Sequence, residues 1–166
     1  MRRVSAAIGS VVFFIVAPGF VAYVIPFLIA SWQSDSWRLD PPLTQWLAVA
    51  IGVVGTIALI ECFVRFVMKG VGTPAPIAPT EHLVVTGLYR VVRNPMYVAV
   101  LAIIVAQGLW FASVAVLVYA AVMWAIFTAF VMLYEEPTLA ATYGEEYATY
   151  RRNVRRWIPR LTPWKA

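Results

Sequence analysis

The chain has little with which to hold a metal or close a disulfide. Its 166 residues include one cysteine, Cys62, and one histidine, His82. A single cysteine excludes an internal disulfide and any thiolate cluster. A single imidazole leaves a His-based metal site without its ligands, so no metal is expected. Charge is scarce as well. Asp, Glu, Lys and Arg make up 13% of the chain, against about 25% in a soluble domain. Apolar residues reach 62%, more than a chain of this length can hide from water. The chain therefore reads as an all-α integral membrane protein. The net charge of +5 then reports orientation and contact with anionic lipid headgroups, and no nucleic-acid role.

A helix needs about 20 apolar residues to cross the hydrocarbon core. The run Val4–Ala30 is uncharged for 27 residues, longer than the signal-peptide core of about 7–15. It reads as a retained first span, with kinks expected at Pro18 and Pro26. A second span is expected over Leu43–Met68. Glu61 and Arg65 stand four apart near its end and read as a pair within the helix. A Gly- and Pro-rich loop, KGVGTPAPIAPTEH, follows. Met96–Tyr134 then carries no charge for 39 residues. That is too long for one span, so a helical hairpin turning at Gly108–Ser113 is expected. Its first limb, Met96–Gly108, would be about 20 Å long, shorter than the core. Gln107, Ser113 and Thr128 read as interhelical hydrogen bonds. About four spans result, arranged as two helices in 1–70 and a loop, hairpin and terminal helix in 71–166. Arg2, Arg3, Lys69, Arg90, Arg93 and the basic tail all fall on one side, which predicts cytoplasmic termini.

After Glu136, Pro137 suits the first turn of a helix. Tyr143, Tyr147, Tyr150, Val154 and Trp157 follow at spacings of 4, 3, 4 and 3, an apolar stripe. Arg151, Arg152, Arg155 and Arg156 occupy other positions. The pattern predicts a basic amphipathic helix lying on the membrane or against the bundle. Two polar blocks stand beside the apolar runs: Glu81–Tyr97 and Tyr134–Pro137. A hairpin returns them to the same end. Together they offer Glu81, Glu135 and Glu136, the cations Arg90 and Arg93, the amide of Asn94, His82, and the rings of Tyr89, Tyr97 and Tyr134. Such a set suits a ligand that is both zwitterionic and aromatic. The bland alternative is a set of interfacial anchors.

The segments EHLVVTGLY, RNPMY, EEP, GEEYATY and VRRWIP occur in that order between Thr80 and Pro163. The set resembles the isoprenylcysteine carboxyl methyltransferases and the related membrane phospholipid methyltransferases. The resemblance implies S-adenosylmethionine as cofactor and a lipophilic or lipidated acceptor that enters from the bilayer. It implies a cofactor pocket lined by Glu81, His82, Leu83, Val84, Gly87, Tyr89, Asn94, Pro95, Met96, Tyr97 and Glu135. Glu136 and Arg93 remain for the acceptor side as catalytic candidates. Prenylcysteine-like carboxylate methylation is the first reading; methylation of a phospholipid or other lipid amine or thiol, or a non-catalytic membrane scaffold, is the alternative. Two departures stand out. Asn94 replaces a frequent His and cannot titrate near neutral pH. Val131 occupies the position, one turn before Glu135, where the carboxyl methyltransferases carry a substrate-binding Arg.

Overall fold

A computed structural model describes residues 18–32, 41–69, 83 and 85–165. Most of these residues are helical, with no strand among them. Helix α1 covers Ile25–Trp32 and follows a π-helical turn at Phe20–Val24. Helix α2 covers Pro41–Lys69, α3 Pro95–Trp110, α4 Val114–Phe130 and α5 Glu136–Asn153. A second π turn, Val131–Glu135, joins α4 to α5 without a break. Two stretches have the length and apolar character of a full span, Leu43–Arg65 and the helix that begins at Val114. Two shorter apolar helices, Phe20–Ser31 and Pro95–Trp110, pack with them. Of the expected spans, the second and the last limb of the hairpin have full length, and residues 4–17 of the first lie outside the described residues; the all-α architecture is that of an integral membrane protein.

One core joins the first π turn to α2, α3 and α4: Ala22, Leu59, Ala99, Val100, Ile103, Ile104, Val116 and Ala120. Small residues let the helices approach, as lipid-embedded packing requires. Gly55 rests on the Ala99 carbonyl and Ile103, and Gly52 on Ala106. The large side chains Trp46, Val54, Ile57, Trp124 and Leu133 face outward. In a bilayer that face meets hydrocarbon.

A proline follows each π turn with one residue between, and the first shows why. The Ile25 N–H reaches back five residues to the Phe20 carbonyl. The next residue, Pro26, has no N–H to give. The carbonyls of Val21 and Ala22 must then find donors elsewhere, because lipid offers none. Tyr119 Oη donates to the Val21 carbonyl at 3.2 Å, and Gln107 Nε2 to the Ala22 carbonyl at 2.5 Å. Proline thus creates the need and two partner helices meet it. The second π turn repeats the pattern: the Glu136 N–H bonds the Val131 carbonyl, and Pro137 follows.

The hairpin turn differs in detail from the expectation. Gly108 lies within α3, where a Cβ would press on Leu117 at 2.5 Å. It serves close packing of the two limbs. The left-handed turn residue is Ala112, at φ 51°. Of the expected interhelical bonds, Gln107 makes one. Ser113 instead caps its own helix, accepting from the Val116 N–H at 3.3 Å. Thr128 Oγ1 has no partner among the described residues. The terminal helix is kinked at Gly144, which adopts φ 50°, ψ −121°, and it is shorter than the stripe suggests. It stops at Asn153, and Val154 turns extended at φ −121°, ψ 128°.

Candidate functional site

The polar end of the bundle is where α2 finishes, α3 begins and α4 passes into α5. Residues 85–94 lie across it. Gly87 adopts φ 55° and opens a 3₁₀ turn, Gly87–Arg90. Pro95 occupies the first turn of α3, where its missing N–H costs nothing. Asn94 precedes it but makes no side-chain cap. Its amide donates instead to the Arg156 carbonyl at 3.1 Å. The chain beyond α5 runs back alongside this loop. Arg93 N–H donates to the Arg155 carbonyl, Arg160 N–H to the Val91 carbonyl and Trp164 N–H to the Arg90 carbonyl, each at 2.9 Å. Residues 154–165 therefore act as a strap over the loop. The tyrosine stripe faces inward beneath it: Tyr147, Tyr150 and Val154 are buried with Leu83, Val85, Leu139, Tyr143 and Trp164 around them.

The two neighbouring glutamates sit in different surroundings. Glu136 is 7% exposed. Arg156 grips it with two bonds, Nε to Oε1 at 2.7 Å and Nη2 to Oε2 at 2.9 Å. Arg93 Nη1 approaches the same Oε1 at 3.1 Å and donates to Tyr147 Oη at 3.3 Å. Burial pushes the Glu136 carboxyl up, but the Arg156 hydrogen bonds and the Arg93 and Arg156 charges together outweigh it and hold the group below the usual carboxylate range. The same bond raises the Arg156 guanidinium further. Glu136, Arg93 and Arg156 thus form an ion cluster that fastens loop, helix and strap together.

Glu135 points elsewhere. Its Oε1 accepts from Tyr97 Oη at 2.7 Å. The Tyr97 ring meets Phe127 at 4.8 Å between centroids and Trp157, edge on, at 6.5 Å. Tyr89 lies close by. Its carbonyl accepts from Tyr150 Oη at 2.7 Å. Burial, then the neighbouring Cys62, Tyr150, Glu135 and Tyr97, push its phenol well above the ordinary value. Tyr89 therefore stands between α2 and the second π turn. Met96 packs on the main core, and Pro95 is buried. Tyr134 stacks on Phe130 and is 46% exposed, away from this group.

The structure gathers Tyr89, Tyr97 and Glu135 into one cluster and Arg93 and Glu136 into another. Asn94 joins the strap and Leu83 the tyrosine layer. Glu81, His82 and Val84 lie outside the described residues. Sequence reasoning missed Arg156, because the expected helix through Trp157 ends four residues early. It also missed Trp157 as a wall of the Tyr97 cluster. Glu61 and Arg65 do pair within α2, Arg65 Nε to Glu61 Oε1. They also touch the loop: a Cβ on Gly87 would run into both side chains.

No curated protein matches the chain. The sequence profile of the phospholipid methyltransferase family matches residues 43–146. The match covers well over half of the chain, from the start of α2 into α5 and through both glutamates, and the chain belongs to the phospholipid methyltransferase family.

Proposed function

We propose that the protein is a membrane methyltransferase that uses S-adenosylmethionine and methylates a lipophilic acceptor reaching the site from the bilayer. The observation that carries this reading is the division of the glutamate pair. Glu136 is consumed by two arginines, while Glu135 is shared with one tyrosine beside a wall of rings. A carboxylate kept beside aromatic faces at the polar mouth of a membrane bundle suits a cationic, partly aromatic ligand.

Three features fit the cofactor. Gly87 at φ 55° presents bare backbone where any Cβ would collide. Glu61 Oε2 and Thr86 Oγ1 are buried without partners among the described residues. Tyr89, Tyr97 and Glu135 converge from three elements. Leu83, Gly87, Tyr89, Tyr97 and Glu135 would hold it, with Asn94, Pro95 and Met96 fixing the turn that presents Tyr97. When bound, S-adenosylmethionine supplies a methyl group on a sulfonium, whose sulfide leaving group needs no proton. The chain's own work is therefore positioning and the exclusion of water. Tyr97 orients Glu135 through its hydroxyl, and Glu135 draws the positively charged ligand group to the rings. The Glu136 cluster keeps the loop and strap closed over this space. Glu136, held ionised by two arginines, is a poor base. Arg93 is a positioning residue in this reading.

The acceptor is better matched by a lipid amine than by a carboxylate. Val131, where carboxyl methyltransferases carry an arginine, is 1% exposed inside the π turn. Arg93 is occupied by Glu136. Glu135 favours an ammonium group, and its carboxylate can take the proton that an amine sheds on methylation. The positive residues of the loop, strap and N-terminus favour a cytoplasmic mouth. Exposed Arg151, Arg152 and Arg155 favour anionic lipid beside it.

Calorimetry of the detergent-purified protein with S-adenosylhomocysteine, followed by labelled-methyl transfer to extracted membrane lipids, tests the reading. Micromolar binding weakened by Glu135→Gln and Tyr97→Phe, and label that survives alkali, are expected. Alkali-labile label would overturn the amine acceptor in favour of a methyl ester. Folded wild type that binds no ligand would overturn the methyltransferase reading.

A further inference from the structure

The pair Glu61–Arg65 has more around it than a surface ion pair within one helix needs. Such a pair adds only marginal stability, and its charges normally face solvent. Here one carboxylate oxygen, Oε1, takes the Arg65 Nε bond. The other, Oε2, is buried with no partner among the described residues. One residue before Gly87, the Thr86 hydroxyl is buried and has no partner among the described residues either. Gly87 itself lies so close to the pair that a Cβ would strike Arg65 Nε and Glu61 Oε1. Arg65 remains 36% exposed and its terminal nitrogens have no partner among the described residues. A helix pair alone does not account for two orphaned acceptors and an unused guanidinium edge at one spot. Buried polar groups without partners are unfavourable, and a ligand that satisfies them is the ordinary resolution.

The spot is also connected to the proposed pocket. The residue after Glu61, Cys62, lies beside the Tyr89 hydroxyl. Tyr89 in turn neighbours Glu135 and Tyr97. Tyr89 thus has Cys62, the residue after Glu61, and Glu135 and Tyr97 of the ring cluster among its neighbours. A carboxylate oxygen and a hydroxyl that lack donors among the described residues, beside a guanidinium edge that lacks an acceptor among them, are complementary to one ligand chemistry: an ammonium and an acid group close together on one molecule.

We propose that Glu61 and Arg65 bind the zwitterionic amino-acid end of the cofactor, with Thr86 as a third contact. The ammonium donates to Glu61 Oε2 and Thr86 Oγ1, and the carboxylate pairs with the terminal nitrogens of Arg65. Gly87 is glycine because the loop must press against this pair. The inference rests on the S-adenosylmethionine reading and assigns residues on α2 that the paired-glutamate region does not include.

The test compares two ligands by calorimetry: S-adenosylhomocysteine, which has the amino-acid end, and 5′-methylthioadenosine, which lacks it. Wild type should prefer the former by about tenfold or more, as one charge-assisted contact implies. Arg65→Gln and Glu61→Gln should each erase most of that preference and leave 5′-methylthioadenosine binding unchanged. Arg65→Lys should restore part of it. Elution profile and thermal midpoint in detergent establish that each variant is folded. Equal weakening of both ligands would assign the pair a structural role, and unchanged binding of both would remove it from the site. Either overturns this proposal and leaves the methyltransferase reading standing. Folded wild type that binds neither ligand overturns both.

Discussion

Adjacent glutamates should respond in opposite ways to the same substitution. Glu136→Gln removes the only carboxylate described between Arg93 and Arg156 and leaves two guanidinium groups facing each other. The Arg93 side chain is 9% exposed and the Arg156 side chain 24% exposed. Breaking a buried pair costs about 3–5 kcal/mol. Partial exposure of Arg156 brings the expected loss toward the lower end, about 3 kcal/mol. For a chain of this size that lowers the thermal midpoint by about 6–12 °C. Glu135→Gln keeps an oxygen for the Tyr97 hydroxyl, and its expected effect on stability is under about 1 kcal/mol. Its effect should fall on ligand binding instead. The assay is thermal unfolding in one detergent at neutral pH, with S-adenosylhomocysteine calorimetry beside it. The pH dependence adds a signed check. The Glu136 pKa is lowered on folding, so its contribution is present above the unfolded value of about 4.3 and disappears as pH falls through the folded value. The wild-type midpoint should hold from neutrality to pH about 5 and then fall in acid, and Glu136→Gln should lack that fall. If Glu136→Gln melts like wild type while Glu135→Gln melts early, the division of labour between the two residues is refuted.

Four further outcomes follow from the same contacts. Gly87→Ala forces a Cβ into Glu61 and Arg65 at a positive φ, so it should destabilise by roughly 1–3 kcal/mol and weaken S-adenosylhomocysteine binding; a variant that binds and melts like wild type would contradict the close approach. Gln107→Leu strips the Ala22 carbonyl of its donor, and a midpoint loss corresponding to about 1–2 kcal/mol is expected, read by the same melting curve. Truncation after Asn153 removes Arg156 and the strap, and amide exchange should then accelerate across residues 88–94, which lose the bonds to Arg155, Arg160 and Trp164. Cys62 is wholly buried, so a maleimide should label it only on unfolding; rapid labelling of the folded protein would place the α2–Tyr89 contact in doubt.

Much of this architecture was legible in the residues. The apolar runs, the need for a hairpin between Met96 and Tyr134, and the gathering of polar blocks at one end are consequences of local composition and of the thickness of a bilayer. The tyrosine spacing of 4, 3 and 4 also correctly marked a buried face. Glu135 and Glu136, by contrast, look alike in the sequence. Arg156 lies 20 residues beyond Glu136 in the chain, past the end of a helix whose early stop the periodic pattern did not reveal. The Pro26 kink was expected, but the donors that answer it come from Gln107 and Tyr119, 85 and 98 residues from the carbonyls of Ala22 and Val21 that they satisfy. The placement of Gly87 against Glu61 and Arg65 likewise depends on how the loop folds back over α2. Composition and spacing decide what a segment needs, such as a lipid face, a donor or a counter-charge. Which residue meets that need depends on which surfaces the helices bring together, and only the packed structure decides it.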